Sequence, residues 1–426
     1  MLPNSVFHDC ETKDAKTITF TMSPTNVTYA NCLRRSIQSE VSVLGFRADM
    51  TDTGTTSDVK VLKNTTPMSN EMLADRIGLL PIAMPGGSIS AWDKERFLFR
   101  LAVENKTEDA LLVTASMIEC LEKVATSDER VRVPNTQFFH PDPVTGDTCI
   151  IAVLKPFVPG QSPEAIELTA WATPGKGKEH ARFNPSSQCA YAYTRDTDEG
   201  RILKRWQEWL VQNKISIKDL DSDEKRKKKL NNEFRSLELH RCYKVDETGE
   251  PYSYDFTLET IGTMSPYDMV FNGLLELSSL CDKYTSLDVG ELPDSVDIRP
   301  TDGSMKGYDL WFRGEDHTLG SMLQAWIIDT LLSEGNVDYA GYKVPHPLRK
   351  EMVLRLGVED SKKLSEKDVR YCLASAAKGC SDMFREWSVE WSVIARENGY
   401  PVGGLSATLP KKPWEAHSEM KKDAVK

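Results

Sequence analysis

Ile18, Phe20 and Met22 alternate with Thr17, Thr19 and Thr21, a period of two that predicts a strand with one buried face. Ser23 and Pro24 follow and supply a helix N-cap and a first-turn proline. Ala30, Leu33, Ile37, Val41 and Leu44 then recur at spacings of three and four, with Arg34, Arg35, Gln38 and Ser39 falling away from the stripe and Gly45 ending it. The pattern returns far along the chain. Tyr308, Leu310 and Phe312 alternate, Gly314-Glu315-Asp316 turns, and Leu319, Leu323, Trp326, Ile327 and Leu331 form a second helical stripe that stops at Gly335-Asn336. The chain thus carries one strand–turn–helix unit twice. Burying one such stripe against another removes roughly several hundred Å² of apolar surface at about 25 cal/mol per Å². Spacing alone leaves open whether each helix covers its own sheet or meets the other copy.

The stretch 47–182, rich in Thr, Pro and Gly, has short apolar runs at 97–103, 111–117 and 149–154, which predict several short strands. Further strands are expected at 183–198 and 252–261, and helices at 200–213, 265–284 and 365–397. Ser265-Pro266 opens the second of these helices as Ser23-Pro24 opens the first stripe. The charge run 221–235 is expected to be a solvated loop or helix face, 287–306 a linker, and 404–426 a polar, Lys-rich tail.

The bulk numbers narrow the function classes. At 426 residues two or three domains are expected. The net charge of −11 argues against the chain as a whole binding polyanions and favours protein partners or basic partner surfaces, with local basic stretches left open. The nine cysteines are scattered without a CxxC pair, arguing against a disulfide framework or a cysteine zinc site. The first residues carry no signal-peptide pattern, and no apolar run reaches the roughly 18 residues that span a bilayer.

Few residues read as chemistry. Two-metal phosphoryl-transfer catalysis needs carboxylates clustered around the metal ions. Asp196, Asp198 and Glu199, and Asp221 with Asp223, lie instead in polar stretches. Gly175-Lys176-Gly177-Lys178 lacks Walker spacing, and Lys176, Lys178 and His180 read as a surface loop, with contact to a polar partner as the alternative. Arg34 and Arg35 diverge by about 100° on their helix, so one can reach solvent while the other forms an ion pair. Asp316 is placed to cap its helix and His317 to bond backbone in the turn.

These segments resemble a known family. ANCLRRSIQSEV, beginning at Ala30, looks like the signature helix of the alpha-type assembly subunits of multisubunit RNA polymerases. NTTPMSNEMLADRIGLLPI at 64–82, with Glu71, Ala74 and Arg76 followed by Ile77-Gly78-Leu79-Leu80-Pro81-Ile82, is similar to that family's stretch of Asn-Thr, an acidic residue and a following Ala-x-Arg-Leu-Gly-Leu-Ile-Pro. KEHARFNP at 178–185 and SPYDMVFNGLLEL from Ser265 resemble the return strand and closing helix of the larger eukaryotic alpha-like subunit. Glu315–Gly320, followed by Ala340-Gly341-Tyr342-Lys343-Val344-Pro345-His346-Pro347-Leu348, resembles the double signature of the smaller one. The resemblance spans about 16–397 and suggests the third and eleventh subunits of an RNA polymerase II-like enzyme in one polypeptide.

The resemblance implies an α+β fold of two alpha-like dimerisation domains packed about a pseudo-twofold axis, with an inserted, mainly β domain in the first. Residues 1–46 plus 183–286 would form the first domain, 47–182 the insert, 287–306 a linker, 307–403 the second domain and 404–426 the tail. Leu33, Ile37 and Val41 would meet Leu319, Leu323, Trp326 and Ile327 across the axis. Arg34, Arg35, Glu71 and Arg76 would dock the second-largest polymerase subunit. Asp316, His317, Gly341, Tyr342, Pro345, His346 and Pro347 would be structural motif residues. The implied role is non-catalytic assembly. Implied partners are the largest and second-largest subunits and small zinc-binding subunits, with DNA and RNA met only through the complex and no membrane. The larger eukaryotic subunit often carries a four-cysteine zinc loop, but 96–117 contains no cysteine and Cys120 stands alone, so no cofactor or zinc is expected. Such a fusion suggests a large nucleocytoplasmic DNA virus, hence host cytoplasm and virion; a cellular source would imply the nucleus. The rivals are the equivalent pair of polymerases I and III, a free dimerisation adaptor, and a self-sufficient nucleotidyltransferase or nucleic-acid-binding protein.

Overall fold

The computed structural model describes residues 5–49, 58–83, 89–124, 128–215, 224–301, 305–332, 337–359 and 364–402. The first unit opens with β1 (Phe7–Thr12) and β2 (Thr17–Met22), followed by α1 (Val27–Ser39). Ile18, Phe20 and Met22 are buried as their alternation requires. β12 (Ser186–Tyr193), β13 (Tyr254–Thr260) and α5 (Pro266–Asp282) return to complete an antiparallel sheet of order β1-β2-β13-β12.

Two details of the first stripe differ from expectation. The N-cap is Asn26, whose side chain accepts from the Thr28 N–H, while Ser23-Pro24 is a cis peptide in the preceding turn. The helix ends at Ser39, not at Gly45. Ser42–Gly45 instead forms β3, whose backbone pairs with β11 (Thr173–Lys176) from far along the chain. Val41 is buried but lies off the helix, so it cannot continue the stripe of Leu33 and Ile37.

The second unit repeats the plan. β14 (Val296–Pro300) and β15 (Lys306–Arg313) lead into α6 (His317–Trp326), and β16 (Tyr339–Lys343) and β17 (Glu351–Val358) lead into α7 (Glu366–Glu397). Its sheet order is β14-β15-β17-β16. In both units an edge strand feeds an inner strand that feeds a helix, and then the opposite edge does the same. β14 falls inside the stretch 287–306 expected as a linker: Val296, Ile298 and Pro300 pair with Phe312, Leu310 and Tyr308. Arg370 of α7 also donates to the carbonyls of Leu287 and Gly290. The stop expected at Gly335-Asn336 lies outside the described residues. Before it, α6 passes into a π-helical turn over Ile327–Leu331.

Between α1 and β12 lies a body with its own core. Its main sheet runs in the order β4 (Val59–Asn64), β10 (Ala165–Ala170), β5 (Phe97–Glu104), β7 (Glu119–Lys123), β8 (Arg130–Val133). β6 (Leu111–Thr114) pairs separately with β9 (Ile150–Leu154). α2 (Asn70–Gly78), capped by Ser69, covers the core of Phe99, Leu101, Phe138, Ile151 and Leu168. A second excursion, between β12 and β13, is a pair of helices, α3 (Glu199–Gln212) and α4 (Glu224–Leu237). The two four-stranded sheets and their four helices share one continuous apolar core, separate from that of the insert.

Candidate assembly interface

The two units meet first along α5 and α7. Gly273 on α5 leaves room for α1: a Cβ there would lie 2.9 Å from Ile37 Cγ1 and 3.4 Å from Leu33 Cδ1. Gly379 on α7 gives its space to the Trp326 indole, which would stand 2.2 Å from a Cβ. Between α5 and α7 runs a short polar chain. The Ser278 and Ser381 hydroxyls lie 2.9 Å apart, Ser381 donates to Asp282 at 2.6 Å, and Arg385 reaches the same carboxylate at 3.0 Å. Further along, the Trp391 N–H donates to the Tyr267 carbonyl at 2.9 Å. The Trp391 ring meets Phe7 and Phe20 edge-on, both at 5.0 Å between centroids. Glu390 accepts from the backbone N–H groups of Val6 and Phe7 at 2.9 and 3.0 Å, so the second unit's long helix also pins the first unit's edge strand.

The second contact joins α1 to α6. The Cys32 thiol lies 3.7 Å from both the Thr318 carbonyl and the Ser321 hydroxyl, and burial pushes its pKa up to about 12. Arg35 donates to the Thr318 hydroxyl at 3.0 Å and lies 3.7 Å from Asp316. Asp316 caps α6 by accepting the Thr318 N–H at 2.8 Å. Burial opposes its ionisation, but the Thr318 N–H together with Lys178 and Arg35 outweighs that and holds the carboxyl below its ordinary range. Lys178 lies 3.6 Å from Asp316 and 3.1 Å from Glu40, and Lys176 lies 2.7 Å from Glu276. The lysines read from sequence as a surface loop therefore stitch β11 and the turn after it to α5 and to the start of α6.

The remaining candidates sort by what they touch. Leu33, Ile37, Leu319, Leu323 and Ile327 are fully buried in the shared core. Arg34 is satisfied on its own helix by Asn31 and Gln38. Glu71 is exposed in the first turn of α2, its carboxyl lowered by its own backbone N–H and by Ser69. Arg76 donates to the carbonyls of Ile151 and Ile150 at 2.5 and 3.2 Å, tying α2 to β9. His317 faces the Tyr342 hydroxyl at 3.4 Å rather than backbone. The Tyr342 ring occupies the space beside Gly320, and the Tyr339 hydroxyl that beside Gly341. Pro345, His346 and Pro347 form an exposed turn in which His346 Nδ1 accepts the Leu348 N–H at 3.1 Å.

The carboxylates at 196–199 are committed to structure. Asp196 holds Arg201, and Asp198 caps α3. Asp221 and Asp223 lie outside the described residues. Gly175 and Gly177 serve close approach: the Phe183 ring fills the space beside Gly175, and a Cβ at Gly177 would stand 2.0 Å from the Gln38 carbonyl oxygen. Cys120 is buried in the insert, its pKa pushed up to about 12 by burial. No group of three potential metal ligands occurs among the described residues. No described helix is long and apolar enough to cross a membrane.

Residues 308–390 match the model of the RNA polymerase Rpb3/Rpb11 dimerisation domain. The chain is homologous to alpha-like RNA polymerase subunits of this type. The DNA-directed RNA polymerase subunit Rpo3 of Methanosphaera stadtmanae is 24% identical over 270 residues, 61% of this chain and 89% of that protein. Rpo3 of Thermococcus kodakarensis is 24% identical over 278 residues, 64% of this chain and 93% of that protein. The DNA-directed RNA polymerases I and III subunit rpac1 of Dictyostelium discoideum is 24% identical over 197 residues, 42% of this chain and 50% of that protein. The matched dimerisation domain begins within β15 and ends within α7, so it takes in α6, β16, β17 and most of α7, and with them the two helices that meet α1 and α5.

Sequence reasoning placed the interface on α1 and α6 and missed the longer α5–α7 seam. Its signal was present as small residues on α7, namely Ala376, Ala377, Gly379, Cys380 and Ser381. Small residues let helices approach closely, but they carry no apolar stripe of large side chains to attract notice.

Proposed function

We propose that this chain is a non-catalytic assembly subunit of a DNA-directed RNA polymerase, two alpha-like subunits fused into an intramolecular dimer. The observation that carries the reading is the pair of topologically identical β–β–α–β–β–α units whose helices share one core. The dimerisation-domain match on the second unit and the Rpo3 homology support it. The repeated topology favours a pseudo-twofold relation between the units. A tether replaces diffusional association with an effective concentration on the order of millimolar and fixes a one-to-one ratio.

In this reading the chain docks the second-largest subunit through the surface carrying Arg34, Arg35, Glu71 and Arg76. Small zinc-binding subunits brace the joint, and the largest subunits perform nucleotide addition with the nucleic acid. The chain itself holds no zinc or other cofactor. A fused pair fits a large DNA virus, acting in host cytoplasm and packaged in the virion. The match to rpac1 favours, as a second reading, the equivalent subunits of a polymerase I/III-type enzyme.

The test is capture of the tagged full chain from its native source, followed by mass spectrometry. Two very large polymerase subunits at equal stoichiometry, without a separate small alpha-like subunit, is the expected result. Capture of a separate small alpha-like subunit at equal stoichiometry would overturn the fusion reading, and recovery of the chain alone would overturn the polymerase role. The identity of the large subunits separates the polymerase classes.

A further inference from the structure

The helix pair between β12 and β13 carries a feature that the subunit interface does not use. α4 holds six basic residues and two acidic ones, in a chain whose net charge is −11. Phe234 is its one buried side chain, set against Trp206 and Trp209 of α3 at 5.1 and 5.9 Å between centroids. At about 100° per residue, Lys225, Lys228, Lys229, Asn232 and Arg235 all fall on the side opposite Phe234, within an arc of about 120°. All five are exposed. No acidic residue lies inside that arc, since Glu224 and Glu233 fall beyond its two edges. No described carboxylate pairs with the four basic side chains.

The stripe runs about 15 Å along the helix at 1.5 Å per residue. Its composition separates two kinds of partner. Protein interfaces are depleted in lysine at their centre and rely on buried aromatic and arginine anchors. This face holds three lysines, one arginine, an asparagine and the exposed Ser236, with no aromatic or large aliphatic side chain, and the aromatics of the helix pair are turned inward as its base. Lysine and asparagine side chains on an exposed helix suit phosphate oxygens. We infer that the outward face of α4 is a sequence-independent contact for the phosphate backbone of nucleic acid. The inference concerns the isolated chain and stands or falls apart from the polymerase reading.

The test is fluorescence anisotropy of a labelled 20-base-pair DNA duplex titrated with the full chain between 50 and 200 mM salt. The comparison is a Lys225→Gln/Lys228→Gln/Lys229→Gln/Arg235→Gln variant whose circular dichroism and melting match the parent. The expected result is measurable binding at 50 mM salt by the parent, at least about tenfold weaker in the variant. Losing four phosphate contacts should also lower the slope of log affinity against log salt by about 3 to 4. A second variant, Lys13→Gln/Lys63→Gln, removes exposed lysines elsewhere and should bind as the parent does. No binding at 50 mM salt, equal binding by the fourfold variant, or displacement of the duplex by polyglutamate as readily as by unlabelled duplex would overturn the inference. The last result would mean that an acidic protein surface is the true occupant.

Discussion

The two units have the same topology and are elaborated differently. In the first, the backbone after α1 leaves at Ser39 to pair as β3 and open the inserted body, and the backbone after β12 leaves again to build the α3–α4 pair. In the second, the corresponding connections are short, and what is lengthened is the final helix: α7 has 32 residues against 17 in α5. The long helix carries the extra contacts, Trp391 on Phe7 and Phe20 and Glu390 on the β1 backbone, that hold the first unit's edge. A shared core therefore fixes the sheets and the four helices, while additions sit at connections that do not enter it. This is the expected distribution, since loops tolerate insertion and packed seams do not.

Variants can break that comparison in a graded way. Trp391→Ala should cost the most, about 3–5 kcal/mol, because it empties a site lined by both units and removes the indole N–H that bridges to the Tyr267 carbonyl; thermal or urea unfolding of the full chain reads it out. Gly379→Val comes next, at about 1–3 kcal/mol of overpacking, because the new branches meet the Trp326 ring; a loss no larger than that of Lys378→Val would mean the α6–α7 contact yields freely. Arg76→Ala should cost about 1–2 kcal/mol by leaving the Ile150 and Ile151 carbonyls short of a donor. Hydrogen exchange should then rise in the insert and stay unchanged along α5 and α7, since the cores are separate.

Asp316→Asn gives the smallest effect and sharpens the α1–α6 contact. Asparagine caps a helix about as well as aspartate, so the loss reports mainly the half-exposed pairing with Arg35 and Lys178, below about 1 kcal/mol. The sign with pH follows from the lowered carboxyl. Its contribution is complete above the unfolded carboxylate value, about pH 4, and is lost as pH falls through the lower folded value. The difference between parent and variant in urea unfolding should therefore be present at pH 7 and shrink below about pH 4. A difference that grows on acidification would contradict the assigned pairing.

Much of the fold is legible from period. The β2 and β15 alternations, the Ser265 cap of α5 and the long α7 pattern all correspond to elements with the expected faces buried. The misreadings share a cause. Val41 and Leu44 fit a helical spacing, yet Val41 lies in the bend after the helix and Leu44 in a strand, because residues 173–176 supply a partner from more than 100 positions away. β1 and β14 escape notice because edge strands bury little and alternate weakly: in β1 only Phe7 is buried. At the interface, Leu33 and Ile37 announced themselves by apolar spacing. Arg35 offered only a charge on a helix, and its partners, Thr318 and Asp316, lie on the other unit.

Elements with a local cause follow from the order of residues alone: alternating strands, capped helices, the recurrence of one unit and the scattered cysteines. Tertiary structure alone decided which faces meet. It set Gly273 and Gly379 as points of close approach, committed Arg76 to the β9 carbonyls, and drew Lys176 and Lys178 to Glu276, Glu40 and Asp316. The physical reason is that periodicity encodes which side of an element avoids water, whereas a hydrogen bond or a steric fit depends on partners that only the folded chain brings within a few ångströms.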